Sequence, residues 1–487
     1  MWVKLALPAG DFDCAEAGRP GNLRPTSRGM SPMTMLEAES RPAHGSNQNL
    51  DSAVAEAEQR YIAANPASAR LNADAKGVLP GGNTRTTLHF GPFPLGIRSA
   101  AGSRVTDVDG HTYVDFVNEY TAGLLGHSDP VVQAALKRAI DDGLTLGAPN
   151  IYEGELAAAV RTRFPSMERL RFCNSGTEAN LLALATARAV TGRPAVMLFD
   201  GAYHGSLLYF SHGGSPLNMP IPFVESRYND IEAATADFAR NADRLAAVLL
   251  EPMQGSGGAI PAEPAFLGAL REACTKHGVL LILDEVMTSR LSPGGLQKLR
   301  GIRPDMTTLG KYVGGGITIG AFGGRAEIME RFDPSRSDAF PHGGTFNNNV
   351  LAMAAGRAAF AKVLTTEAID RMNALGDRLR GRINVLAAKH GLALQATGVG
   401  SIFGLHFHRG RILSTRDLDL GAKGREREIG QLRAMFQFDA LARGIYIARR
   451  LTANLSLASS DADADAFLEM VEEFLTNRGS LVRQVIP

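Results

Sequence analysis

The sequence predicts an α/β protein. It would have a mostly parallel, doubly wound central sheet in a large domain, and a smaller α/β domain assembled from the N- and C-terminal parts. Three observations predict this. Short apolar runs at 195–199, 246–250 and 279–283 alternate with helix-period segments at 229–240 and 264–276. The runs end in polar residues, Glu251 after one and Asp284 after another, where an open parallel sheet places its ligands. From about Thr366 the chain changes to long helical segments around a glycine-rich strand.

The elements follow in order. Residues 1–50 are rich in Pro, Gly, Ser and charge without a sustained period, and are expected to be a disordered extension, with Met30, Met33 and Met35 as alternative starts. A helical pattern begins at Asp51, with Asp51 or Ser52 as its cap, and ends near Asn65-Pro66. Residues 51–100 are expected to pack with the small domain. Pro80-Gly-Gly-Asn-Thr-Arg85 is a turn-rich loop, and residues 103–118 form a hairpin about Asp109-Gly110. A glycine-rich loop from Tyr120 to His127 precedes helices near 129–142 and 153–163. Arg169–Cys173 reads as a strand running into Asn174-Ser-Gly-Thr-Glu-Ala179 and an apolar helical segment to Val190. Residues 325–332 and 348–364 look helical, completing a large domain over 101–365. The small domain, 366–487, has helices near 367–389, 425–443 and 461–477 and a strand from Gly398 to His408.

Composition narrows the function. The 487 residues are 45% hydrophobic and 21% charged, with a formal net charge of +1. No global field points to nucleic acid or an anionic membrane. The apolar runs are much shorter than a membrane span. Cys14, Cys173 and Cys274 are far apart, without metal-ligand spacing, and suit a reducing cytosol, so the expected location is cytoplasmic and the expected metal count is nil.

The chemistry centres on residues 284–311. The run Gly278-Val-Leu-Leu-Ile-Leu delivers Asp284-Glu285-Val286, and Thr307-Thr-Leu-Gly-Lys311 sets one lysine in a loop before Gly314-Gly-Gly316. A carboxylate at a strand end and such a lysine are what a pyridoxal phosphate enzyme requires: an amine for the Schiff base and a partner for the pyridinium nitrogen. Asn174-Ser-Gly-Thr177 leaves two readings open, an ordinary capping box or an anion seat at a helix N-terminus. Tyr203-His-Gly205 follows the strand that ends near Asp200, so that an aromatic face could meet a flat ring.

Asn174-Ser-Gly-Thr-Glu-Ala179, Tyr203-His-Gly205, Glu251-Pro252, Asp284-Glu-Val286, Thr307-Thr-Leu-Gly-Lys311 and Gly343-Gly-Thr-Phe346, in this order, resemble the class III (ω-type) aminotransferases of PLP fold type I. Glutamate-1-semialdehyde aminomutases belong to the same group. The resemblance spans roughly residues 55–480. It implies pyridoxal 5'-phosphate as cofactor, Lys311 as the Schiff-base lysine and Asp284 as the partner of the pyridine nitrogen. It implies Tyr203 and Val286 on the two ring faces, with Ser175, Gly176 and Thr177 on the phosphate. Thr345 would reach the phosphate of a neighbouring subunit in a homodimer. His204, Glu178, Glu251 and Gln254 would lie around the ring. Gly82-Asn-Thr-Arg85, Glu119 to His127, Asp284 to Leu291 and Gly344-Thr-Phe-Asn-Asn-Asn349 are similar to the β-amino acid (β-phenylalanine type) branch. That likeness implies Arg85 on the substrate carboxylate and Arg450, with Arg449 as the one-residue alternative, on the carboxylate of the 2-oxo acid, 2-oxoglutarate or pyruvate. A planar guanidinium suits both roles. A glutamate-1-semialdehyde aminomutase, or an aminotransferase of the same class for another ω- or α-amino substrate, is the alternative activity.

Overall fold

The structure is a computed structural model and describes residues 49–211 and 213–487. The extension expected over residues 1–48 lies outside the described residues. Asn49, not Asp51 or Ser52, caps the first helix, Leu50–Ala64: its side-chain oxygen accepts from the Ser52 N–H at 2.8 Å. This helix ends at Asn65, as expected. Pro66 then opens a second helix, Pro66–Lys76, from the first turn, where a missing N–H costs nothing.

Seven strands form the central sheet: β1 (Arg169–Cys173), β2 (Ala195–Phe199), β3 (Phe223–Ser226), β4 (Leu245–Leu250), β5 (Leu280–Asp284), β6 (Met306–Gly310) and β7 (Gly320–Gly324). Their spatial order is β1-β7-β6-β5-β4-β2-β3. All run parallel except β7, which is antiparallel to β6 and β1. Strands β2, β4, β5 and β6 are buried along their whole length; β2, β4 and β5 accordingly read as apolar runs instead of alternating ones, whereas β6 carries Thr307 and Thr308. The register sets Leu283 beside Leu250 and Asp284 beside Thr308. The C-terminal ends of β4, β5 and β6 therefore share one edge, and deliver Glu251, Asp284 and Lys311 there.

Helices Gly176–Thr191, Ile231–Asn241 and Pro264–His277 connect these strands. The hairpin expected over 103–118 is present as strands 104–107 and 112–115, in a four-stranded sheet with 97–101 and 445–446. Helix Leu50–Ala64 packs on helix Glu426–Ala442, with Asp51 bonded to Arg427 and Gln431. The single strand expected from Gly398 to His408 is a hairpin, 395–399 paired with 402–406 about the left-handed Gly400. The last helix continues to Val485, because the buried residues Arg478, Leu481, Val482 and Val485 extend its inward face. Among the described residues, no helix is long and apolar enough to cross a membrane and no cluster of side chains suits a metal ion.

Candidate active site

Asp284 closes β5 and is almost fully buried. Its Oδ2 accepts from Asn180 Nδ2 at 2.7 Å and lies 2.8 Å from His204 Nδ1, while Oδ1 accepts from the Val286 N–H at 3.0 Å. Asn180 also donates to the His204 carbonyl at 3.0 Å and accepts from Thr308 Oγ1 at 2.6 Å. The carboxylate at the sheet edge is thus oriented by one helix, by the next strand and by the loop after β2. His204 Nε2 is buried and has no partner among the described residues.

Lys311 leaves the end of β6 in a left-handed conformation (φ 56) and opens a single turn of 3₁₀ helix, 311–314, so it stands at a strand end and not within a loop. No side-chain hydrogen bond or ion pair holds its ammonium among the described residues. Burial draws its pKa below the usual lysine value; Asp284 acts against that shift and Arg85 adds to it.

The turn after β1 is capped, though not by the capping box that the sequence left open. Ser175 Oγ accepts from the Glu178 N–H at 3.1 Å, while the Glu178 carboxylate reaches past Ser175 to the Asn174 N–H at 2.7 Å. Glu178 is therefore bonded within the turn itself. The N–H groups of Gly176 and Thr177 keep no partner among the described residues, so the helix still offers anion-binding donors at its positive end. The turn is closely packed. A Cβ on Gly176 would stand 2.9 and 3.0 Å from the two methyls of Val286. One on Gly205, whose φ is 119, would stand 2.2 Å from Thr177 Oγ1. Val286 also lies against Gly310, the residue before Lys311. One side chain thus touches both the anion-binding turn and the approach to the lysine.

Tyr203 anchors its N–H on Glu251 Oε2 at 3.0 Å and leaves its ring 39% exposed, edge-on to Tyr209 at 5.8 Å. Glu251 is buried; its Oε1 accepts from the Gly255 N–H at 2.9 Å. Burial pushes its carboxyl up to about 7, with His204 pulling down and Asp284 pushing up. Gln254 turns away from this group, to the Asp200 carbonyl at 2.6 Å. Glu285 faces the other way too: it accepts from the Leu296 and Gln297 N–H groups, and burial pushes it up to about 7.

Arg85, in the loop after Pro80, pairs with Glu119 and lies over the Tyr120 ring at 5.4 Å. Arg450 donates to Ser256 Oγ at 2.8 Å. Arg85 and Arg450 both act on the Tyr120 hydroxyl, holding it down against the upward push of burial. Arg449 is engaged elsewhere, packed over Phe90 and Phe438 with its Nη2 on the Gly91 carbonyl. Thr345 is exposed in the segment 343–349, which Asn347 ties back to Asn174 at 3.0 Å.

These groups fit a phosphorylated pyridine aldehyde: unpaired N–H groups for the phosphate, a fixed carboxylate for the ring nitrogen, an exposed aromatic face and an unpaired amine. The comparisons agree. The profile of the family Aminotransferase class-III matches residues 89–422. The chain belongs to the class-III aminotransferases. This aminotransferase is 46% identical over 433 residues to the beta-phenylalanine transaminase of Variovorax paradoxus, covering 89% of this chain and 98% of that one. The crystal structure of a beta-phenylalanine aminotransferase from the same organism superposes with a TM-score of 0.86, covering 89% and 99%. It is also 38% identical over 430 residues to a glutamate-1-semialdehyde 2,1-aminomutase of Sorangium cellulosum, covering 84% and 96%. An aminomutase from Pseudomonas aeruginosa PAO1, solved in complex with PMP, matches at a TM-score of 0.80 and 26% identity, covering 88% and 98%. The chain is a pyridoxal-phosphate-dependent aminotransferase of fold type I, and its substrates are amino acids and oxo acids.

Two residues of this aminotransferase escape a motif reading. Asn180 is the one amide on a buried helix face with Ala179, Ala183, Leu184, Thr186 and Ala187, and that break in a mostly apolar face was its signal. Arg290 is fully buried; it falls within the stretch 284–291 that carries the resemblance, but nothing there reveals its partners.

Proposed function

We propose that this class-III aminotransferase moves the amino group of a β-amino acid, of the β-phenylalanine type, to a 2-oxo acid such as 2-oxoglutarate or pyruvate. It would work as a cytoplasmic homodimer. The observation that carries this reading is the pair Arg85 and Arg450: they come from distant segments, yet both act on the Tyr120 hydroxyl, and Arg85 also acts on Lys311. Two guanidiniums that share Tyr120, one of them also acting on Lys311, suit a reaction in which two carboxylates take turns, and in a β-amino acid the carboxylate sits one carbon farther from the reacting centre than in an α-amino acid. The 46% identity to a beta-phenylalanine transaminase supports the same substrate class.

In this mechanism Ser175, Gly176 and Thr177 hold the phosphate, joined by Thr345 from a second subunit. Tyr203 and Val286 enclose the ring, with His204 and Glu251 behind it. Asp284, fixed by Asn180 and His204, pairs with the ring nitrogen. When bound, the cofactor supplies an electron sink for the pair left on the amine-bearing carbon. Lys311 would anchor the cofactor, and its amine, when free, would be the base that takes and holds the proton of the amine-bearing carbon. Burial lowers the pKa of Lys311 and so favours the neutral amine that this exchange needs. Arg85 orients the donor carboxylate and Arg450 that of the acceptor.

The test is the visible spectrum of the cofactor-loaded protein mixed with β-phenylalanine and no acceptor. Loss of the cofactor band with a stoichiometric release of 3-oxo acid is expected. A stable band with β-phenylalanine and turnover of glutamate 1-semialdehyde would overturn the reading in favour of the aminomutase activity.

A further inference from the structure

Arg290 lies in the 3₁₀ turn Thr288–Leu291, six residues after Asp284, and has no solvent exposure. No carboxylate pairs with it among the described residues. Its Nη1 donates to the Thr121 carbonyl and to Asn454 Oδ1, both at 3.2 Å. Its Nη2 donates to the Leu455 carbonyl and meets Met372 Sδ at 3.3 Å. Burial pulls its pKa down to about 9. An unpaired buried cation is costly, and a lysine could not span these carbonyls, because only a guanidinium presents a rigid fork of donors.

The acceptors belong to two segments that matter. Thr121 ends a run of four successive left-handed residues, Asn118, Glu119, Tyr120 and Thr121, with φ of 40, 49, 51 and 79. Such backbone persists only where surrounding contacts over-determine it. Within the run Glu119 pairs with Arg85 and Tyr120 lies under it. Asn454 and Leu455 follow Arg450 across the strand 452–454. Asn454 also ties the segments directly: it accepts at its carbonyl from Asn118 Nδ2 at 2.7 Å and donates to the Val117 carbonyl at 2.8 Å.

We propose that Arg290 is a positioning residue for both carboxylate-binding arginines, locking the left-handed run that sets Arg85 to the strand that sets Arg450. It touches neither substrate nor cofactor. The inference rests on the assignment of Arg85 and Arg450 to substrate carboxylates.

The experiment is steady-state kinetics of cofactor-loaded Arg290→Lys with β-phenylalanine and 2-oxoglutarate, alongside Arg85→Gln and Arg450→Gln. Asn118→Gly is included because it cuts the same tie, through Asn454, without touching the buried cation. It relaxes a φ of 40, so it carries the same test if the arginine variant is insoluble. Both KM values should rise, each on the order of 10-fold, because small misplacements of a binding group cost that much or more. kcat and cofactor affinity should stay within about twofold. A merely structural role would lower the active fraction, and so kcat, without moving KM. Unchanged KM values in R290K and N118G, or a rise in only one of the two, overturn the proposal. Unchanged KM values in R85Q and R450Q overturn the assignment beneath it instead.

Discussion

Asn180→Leu keeps the shape of the side chain and removes its bonds, and its cost follows from the three contacts. Thr308 loses an acceptor at 2.6 Å and the His204 carbonyl loses a donor at 3.0 Å, each worth about 1 kcal/mol. Asp284 loses a donor at 2.7 Å, and bonds to charged groups are worth about 1.5–3 kcal/mol. The added apolar burial of leucine returns about 1 kcal/mol. The net is a loss of about 2.5–4 kcal/mol. It should show as a lower urea midpoint for the cofactor-free protein. The carboxylate, left with His204 and the Val286 N–H, should also be less well aimed, and cofactor affinity in an absorbance titration should fall by about 10-fold or more, by analogy with the loss of residues that orient metal ligands. Asn180→Asp sharpens the point: it keeps an acceptor for Thr308 but sets a second carboxylate against Asp284, and should bind cofactor less well than the leucine variant. Wild-type stability and affinity in Asn180→Leu would refute the claim that this amide orients Asp284.

Three further outcomes are expected. Gly176→Ala forces a methyl to within 3 Å of Val286, an overpacking worth about 1–3 kcal/mol; cofactor affinity should drop by a corresponding ~5- to 150-fold and recover largely in the Gly176→Ala, Val286→Ala double variant. Arg449→Gln should destabilise the protein by about 2 kcal/mol, through two cation–π contacts of about 0.5–1 kcal/mol and one hydrogen bond, with no change in acceptor KM, whereas Arg450→Gln should do the reverse. Lys311→Met should stabilise the cofactor-free protein at neutral pH. A lysine whose folded pKa is depressed binds fewer protons folded than unfolded, so its penalty is full below the folded pKa and fades as pH rises. The difference in melting temperature between variant and wild type should therefore narrow toward the ordinary lysine value of 10.5.

Three of the central strands were legible because parallel strands buried on both faces leave unbroken apolar runs, and 195–199, 246–250 and 279–283 fall within a residue of β2, β4 and β5. Strand β6, which delivers Lys311, was not, because Thr307 and Thr308 break its apolar run. Strand β7 was not, because Gly320-Ala-Phe-Gly-Gly324 lacks the β-branched side chains that announce a strand and is held by its two neighbours instead. Asn65-Pro66 does end the first helix, but that Pro66 also opens a second one was not legible, because proline is both a breaker and a first-turn residue and only the backbone tells which. Within the site, Lys311, Asp284 and the turn after β1 stand in continuous motifs. Asn180 and Arg290 act across the fold, on partners that no spacing along the chain reveals.

The amide of Asn347 has a consequence of its own. It bonds Asn174, the residue before the phosphate turn, and belongs to the same short segment as the exposed Thr345. In the proposed dimer that segment serves the neighbouring site, so filling one site steadies the piece of chain offered to the other. Thermodynamic reciprocity then requires the converse: whatever tightens the pairing of subunits must tighten their hold on cofactor by the same factor. Vitamin supply and quaternary state become two handles on one equilibrium, and a preparation starved of cofactor should drift toward single chains as it is diluted.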